Sequence, residues 1–162
     1  MLELGPDLCL RPAQASDESL LQQIYLSTRS TELQTVPWSA QQKQEFLSFQ
    51  AAAQERHYRQ TYPDIEQLVV EYRGVPAGRL YRSQDMLEHR LIDVALLPAF
   101  TGQGLGTRLL EGEMGRAGAA GKQLRLHVER HNPARRLYER LGFVMTEDQG
   151  VYLAMTWNQS PA

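Results

Sequence analysis

The sequence predicts an α/β layer fold. Short apolar runs of strand length alternate along the chain with longer segments of helical periodicity. Gly, Pro, Asn and Ser mark the turns between them. The 162 residues contain no repeat, low-complexity tract or Pro/Gly/Ser linker, so a single domain over residues 1–162 is expected. With 42% hydrophobic residues, such a chain can bury a core without disulfides or a metal.

Composition narrows the function classes. The formal net charge of -2 lacks the basic excess of a nucleic-acid binder. Cys9 is the only cysteine, so an intramolecular disulfide is excluded, and no Cys/His zinc spacing occurs. In the run Leu8-Cys9-Leu10 it reads as a core residue. No stretch approaches the roughly 18–20 apolar residues of a membrane span. No basic segment followed by a long apolar stretch opens the chain. The expectations are a cytoplasmic protein with no metal, no nucleic acid and no membrane among its partners.

The elements follow in order. Leu8–Arg11 reads as a first strand, stopped by Pro12. A helix begins at Ser16, with Asp17 and Glu18 in the first turn, where the helix dipole favours acids. Leu20, Leu21, Ile24 and Tyr25 give it an apolar stripe. Pro37 breaks the chain, and Ser39 with Gln42 forms a capping box for a helix from Ala40 to Arg59. Phe46, Phe49 and Ala53 fall on one face of that helix, with Gln50 and His57 nearby. Gln67–Arg73 and Val75–Ser83 read as a hairpin around Arg73-Gly74. The apolar run Leu91–Leu97, ended by Pro98, suits a strand buried on both faces. A helix from Gly104 to Ala117 has Leu105, Leu109, Leu110, Met114 and Ala117 as its buried face. Gln123–Val128 is another strand. Asn132 is a good N-cap, Pro133 suits the first helical position, and Gly142 ends that helix as a left-handed cap. Phe143–Thr146 and Val151–Trp157 close the chain as a strand pair.

The turn Gly102-Gln103-Gly104-Leu105-Gly106-Thr107 carries the chemistry. A strand, a glycine-rich turn and a helix N-terminus together offer free backbone N–H groups and a favourable dipole to an anion. Spacing excludes two nucleotide loops. Gly106 is followed by Thr107-Arg108 rather than Lys-Ser/Thr, and no choice of first glycine gives G-x-G-x-x-G.

The stretch from Leu96 through Thr101 and the glycine turn to Leu110 resembles the acyl-CoA-binding motif of the GCN5-related N-acetyltransferases (GNAT), Arg/Gln-x-x-Gly-x-Gly/Ala. The segment Asn132-Pro133-Ala134-Arg135-Arg136-Leu137-Tyr138-Glu139-Arg140-Leu141-Gly142-Phe143 is similar to that family's downstream helix. The order of elements matches from Leu8 to Trp157. The resemblance implies the GNAT fold, a mixed central sheet of about six to seven strands flanked by about four helices. It departs from the motif at Thr101, which replaces the long Arg or Gln side chain near the pyrophosphate. Arg108 is one residue that could compensate, or it is simply a solvated helix residue.

What the resemblance implies for function is transfer of an acyl group, acetyl first, from acetyl-CoA to an amine by direct attack. Pantetheine would insert between two splayed parallel strands, Leu91–Leu97 and Gln123–Val128. Leu96 and Leu97 would supply backbone contacts and one of their N–H groups the oxyanion donor. Thr101, Gly102, Gln103, Gly104, Leu105, Gly106 and Thr107 would hold the pyrophosphate. Asn132 would contact the CoA arm, act as an N-cap, or both. Tyr138 matches the family's tyrosine general acid. Asp93, a carboxylate within an apolar strand, is either the base or a partner for an arginine such as Arg79; Glu129 is the alternative base. Arg29, Glu32, Trp38, Gln50, His57 and Tyr58 lie in the segments that would build the pocket for a small-molecule or peptide amine. The fold also allows a homodimer through an edge strand. A CoA-binding module with the same fold and no catalysis is the competing function, favoured by Thr101.

Overall fold

A computed structural model describes residues 2–159, without the side chains of residues 30 and 31. The strands are β1 (Leu2–Glu3), β2 (Leu8–Pro12), β3 (Glu66–Tyr72), β4 (Val75–Gln84), β5 (Glu88–Leu96), β6 (Gln123–Glu129), β7 (Val144–Asp148) and β8 (Tyr152–Trp157). The helices are α1 (Glu18–Arg29), α2 (Ala40–Thr61), α3 (Leu105–Ala119) and α4 (Ala134–Arg140). All eight strands join one sheet in the order β1-β2-β3-β4-β5-β6-β8-β7. The sheet is therefore mixed α/β as expected, with one strand more than the expected six to seven. The extra strand, β1, is two residues long and has no periodicity to read.

Local chemistry explains most elements. Ser39 Oγ accepts from Gln42 N–H while Gln42 Oε1 accepts from Ser39 N–H, the reciprocal cap that starts α2. Arg73 and Gly74 both have positive φ, 52° and 78°, which lets β3 turn tightly into β4. At the end of α4, Gly142 N–H donates to Glu139 C=O and Phe143 N–H to Tyr138 C=O, a Schellman closure that needs the positive φ of Gly142.

Three expectations are corrected. The helix expected from Ser16 opens with a 3-10 turn over Ala15–Asp17, because Asp17 is drawn to Arg11 at 2.8 Å and accepts from Gln14 N–H. On α2 the buried residues are Leu47 and Ala51; Phe46 and Phe49 are exposed, Phe49 by 70%. The longest apolar side chains there do not mark the inner face, since Gln54, Glu55 and Tyr58 turn inward to polar partners on the sheet. The strand read as Leu91–Leu97 begins three residues earlier, at Glu88, and is only half-buried from Ile92 on. Its polar start is held by Asp85, whose carboxylate accepts from the N–H groups of Leu87 and Glu88.

The core lies between the sheet and α3, built by Leu105, Leu109, Leu110 and Ala117 against Leu80, Leu91, Leu124 and Leu126. Glu113, 1% exposed, also faces inward and pairs with Arg82 of β4 at 2.7 Å. Helices α1 and α2 cover the opposite face, with Tyr58 and Glu55 of α2 reaching Asp93 and Tyr81.

Candidate active site

The site begins where β5 and β6 part. Among the described residues they are the sheet's one parallel pair, and they pair only from Glu88↔Gln123 to Leu91↔Leu126. β5 then runs on to Leu96 and β6 to Glu129 with no ladder between them. A bulge aids the separation: Tyr81 of β4 faces Asp93 and Arg82 faces Leu91, leaving Ile92 as the extra residue. Bulges bend the strand that carries them. Here the bend falls at the level of the last β5–β6 pair.

The open edge of β5 can be assigned residue by residue. Leu97 N–H donates to Ala77 C=O at 2.8 Å. Alternate residues of an antiparallel strand turn their N–H and C=O groups to the same neighbour. Ala95, opposite Arg79, therefore also faces β4, while Leu96 and Val94 direct theirs into the fork. Of the two residues expected to offer an amide there, Leu97 has its N–H already engaged and Leu96 has not; Val94 was missed. Gly78 faces Leu96, and a Cβ on it would meet Ala95 O at 2.2 Å. Only glycine lets β4 lie this close to the donor edge.

Beyond β5, Gly102 and Gly104 have φ of 75° and 78°. Among the described residues, no backbone carbonyl accepts from the amides of Gly102, Gln103 or Gly104. Leu105, Gly106 and Thr107 form the first turn of α3, where N–H groups lack helical partners. The turn is thus a row of free amides at a helix N-terminus. The side chains around it point elsewhere. Thr101 Oγ1 donates to Pro98 C=O, Gln103 Nε2 to Ala99 C=O, and Arg108 pairs with Asp7 at 2.7 Å. Arg108 does not make up for the missing motif side chain.

The fork opens into a cleft of about 400 Å³. Ile92, Asp93, Val94 and Ala95 form one wall, and Leu126, His127, Val128 and Glu129 the other. Asn132 and Tyr138 close it at the α4 end, and Tyr25, Thr28, Arg29, Glu32, Gln54 and Tyr58 cover it from α1 and α2. Asn132 Oδ1 accepts from Ala134 N–H at 2.9 Å, so it caps α4 and still borders the cleft. Tyr138 packs against Phe143, ring centroids 5.9 Å apart. Burial, and then the charge of Asp93, raise its phenol pKa, which keeps the proton on the oxygen.

Asp93 anchors a buried polar network. Its Oδ2 accepts from Arg79 Nη2 at 2.6 Å and from Tyr58 Oη at 3.3 Å. Arg79, 3% exposed, also donates to Gln54 and lies 4.8 Å from the Tyr81 ring centroid. Burial and the nearby Asp93 raise the Tyr58 pKa. Arg29 and Glu32 pair with each other at 2.8 Å at the rim.

A second hollow of about 640 Å³ adjoins the first and shares Gln54, Tyr58, Leu91, Ile92, His127 and Tyr152 with it. His57 borders only this hollow. Trp38 and Gln50 border neither; Trp38 stacks edge-on with Phe46 at 5.2 Å. Sequence reasoning missed Val94, His127, Tyr25 and Tyr152. The signal for His127 was an unclaimed polar position alternating with Leu126 and Val128. Among the described residues, no group of three or more His, Cys, Asp or Glu side chains is placed to hold a metal ion, and no helix is long and apolar enough to cross a membrane.

A forked parallel pair followed by a free-amide turn suggests one family above others, and the sequence decides it. The domain described as "Acetyltransferase (GNAT) domain" matches residues 63–145, just over half of the chain. The chain belongs to the GNAT acetyltransferase family. Solved GNAT structures share its fold. The PaiA N-acetyltransferase from Thermoplasma acidophilum in complex with coenzyme A superposes with a TM-score of 0.69 at 19% identity, covering 94% of this chain and 99% of that one. An acetyltransferase from Salmonella typhimurium that modifies the N-terminal serine of ribosomal protein L7/L12 gives 0.64 at 16%, covering 98% and 99%. A GNAT acetyltransferase from Elizabethkingia anophelis with acetyl-CoA bound gives 0.63 at 16%, covering 96% and 100%. A search of curated proteins gave no match. In this GNAT domain the matched segment runs from just before β3 to the start of β7, so it contains the fork, the turn and Tyr138.

Proposed function

We propose that this GNAT protein transfers acetyl from acetyl-CoA to an amine by direct attack. The observation that carries the proposal is the fork. It joins the free-amide turn and the open edge of β5 to a cleft roofed by α1 and α2, so a thioester and an amine can meet in one cavity. Neighbouring structures with coenzyme A or acetyl-CoA bound support the donor.

The residues have the following roles in this reading. The amides from Gly102 to Thr107 hold the pyrophosphate, with the α3 dipole adding to them. From there pantetheine runs along the open edge of β5, past Leu96 first and Val94 next. The thioester then lies near the apex of the fork, where the Val94 or Leu96 amide can donate to the oxyanion. Tyr138 donates its proton to the departing sulfur. Asp93 is the partner of Arg79 rather than the base. It neutralises Arg79 and orients Tyr58, and so fixes the floor of the cleft. Arg29, Glu32 and Tyr58 contact the acceptor, a small-molecule or peptide amine; His57 reaches only its far end, and Trp38 and Gln50 drop out of the proposed pocket.

The test is thiol release from acetyl-CoA across a panel of alkyl amines, amino-acid amides and short peptides. Acceptor-dependent release is the expected result. Tight coenzyme A binding with no acceptor-dependent release would favour the non-catalytic CoA module instead.

A further inference from the structure

His127 is the first residue of β6 beyond its last pairing with β5. It thus stands at the apex of the fork, across from the Ile92 bulge and Asp93. Strand alternation sends Leu126 and Val128 into the core and His127 to the other face, toward α1 and α2. It borders both hollows, and its side chain is exposed to them. Among the described residues, the hydrogen bonds of β6 side chains involve Gln123 and Arg125, and none involves His127. Its ring is free to meet a ligand.

We infer that His127 is the base that takes a proton from the acceptor ammonium as it enters the fork. The inference rests on the acetyltransfer reading and adds the group that makes the nucleophile. An alkylammonium titrates near pH ~10, so at neutral pH almost all of the acceptor arrives without a lone pair. The two carboxylates of the cleft are less suited. Asp93 Oδ2 is tied at 2.6 Å to a guanidinium that is 3% exposed, and protonating the carboxylate would remove that buried cation's nearest counter-charge, leaving only Glu55 at 3.7 Å. Glu129 lies two residues further out, about 7 Å along the strand, and borders only the first hollow.

The electrostatic surroundings agree. Desolvation by the cleft walls, and then the charge of Arg125, hold the imidazole below its usual pKa, so it is neutral and able to accept at pH 7. Arg125 on the same strand is the main cation facing it, with Arg90 on β5 and Arg29 on α1 further off. Glu88, Glu147, Glu129, Glu32 and Asp93 are the acids around it, and His57, Tyr58 and Tyr152 also line the hollows it borders.

The protons balance. His127 takes one proton from the ammonium and passes it to solvent. The nitrogen attacks the thioester carbon, the C–N bond forms and the C–S bond breaks. The sulfur leaves with a proton from Tyr138, which is restored by the second proton lost from nitrogen. The products are the amide, the free thiol and one proton in solution.

The test is the pH dependence of kcat/KM for wild type, His127→Gln and His127→Ala, with an alkyl amine accepted in the thiol-release panel. For wild type, kcat/KM rises below the imidazole pKa and then stays level until the amine titrates near pH ~10. His127→Gln loses about 100-fold at pH 7, and its kcat/KM climbs without a plateau toward the amine pKa. Coenzyme A affinity is unchanged, and added imidazole restores part of the His127→Ala rate. A structural role for the histidine moves none of the profile shape or the rescue. Wild-type rate and profile in His127→Gln overturn the inference while leaving acetyltransfer intact. A panel in which no amine is acetylated overturns both.

Discussion

Arg79 and Asp93 face each other across the β4–β5 ladder, two residues out of step, and meet at 2.6 Å beneath the cleft. The guanidinium is 3% exposed, so the pair is a buried one. Such a pair is a poor source of net stability, but breaking it from one side is costly. Asp93→Asn is predicted to lower unfolding free energy by about 3 kcal/mol, the low end of the range, because Gln54 and Glu55 still face Arg79. Urea unfolding reads this directly. A stability equal to wild type would mean that Asp93 does not neutralise Arg79.

Tyr138→Phe keeps the ring on Phe143 and removes only the hydroxyl. Turnover is predicted to fall about 100-fold with coenzyme A affinity unchanged. Steady-state thiol release with a binding titration separates the two quantities.

The glycine turn gives a prediction that separates binding from folding. Gly106 has ordinary helical φ, and a Cβ there would meet nothing within 4 Å. Gly106→Leu is therefore predicted to fold with wild-type stability, within about 0.5 kcal/mol. Its side chain would fill the mouth of the amide row and weaken coenzyme A by tenfold or more, roughly 1.4 kcal/mol. Gly106→Ala, which the family motif permits, should bind nearly as wild type.

Gly78 tests the donor edge from behind. A methyl group there cannot coexist with Ala95 O at 2.2 Å, so β5 must move. Gly78→Ala is predicted to cost about 1–3 kcal/mol, the usual range for overpacking, and to weaken coenzyme A as well. Thermal unfolding and a binding titration on the same sample show whether the two losses travel together.

Stability at low pH should report on Asp17. Its hydrogen bond to Arg11, and then that from Gln14 N–H, hold its pKa at about 2, against 3.8 for the free group. A depressed carboxylate stabilises the fold fully above the unfolded pKa and loses that contribution as pH falls through the folded one. The loss attributable to Asp17 thus lies between about pH 4 and pH 2. Asp17→Asn should be less stable at pH 7 and decline less over that window.

Much of this molecule is legible in its sequence. The capping box at Ser39, the hairpin at Arg73-Gly74, the cap at Asn132 and the stop at Gly142 are local patterns, and the structure uses each of them. The glycine turn is legible for the same reason. What local pattern does not reveal depends on contacts distant in sequence. The inner face of α2 is set by Asp93, Tyr81 and Arg79 on the sheet, so Phe46 and Phe49 misled. The engagement of Leu97 N–H with Ala77 follows from strand register, which no composition rule gives. His127 reads as an ordinary outward strand residue until the parting of β5 and β6 turns that face into a cleft.

In the proposed function, coenzyme A lies along the open edge of β5 and the amide row beyond it. Amide hydrogen exchange of the whole chain, with and without acetyl-CoA, reads this placement residue by residue. Leu97 and Ala95, already bonded to β4, should exchange slowly in both states, while Val94, Leu96 and the amides from Gly102 to Thr107 should slow markedly on binding. Binding that leaves Val94, Leu96 and the turn exchanging as fast as before would contradict the account.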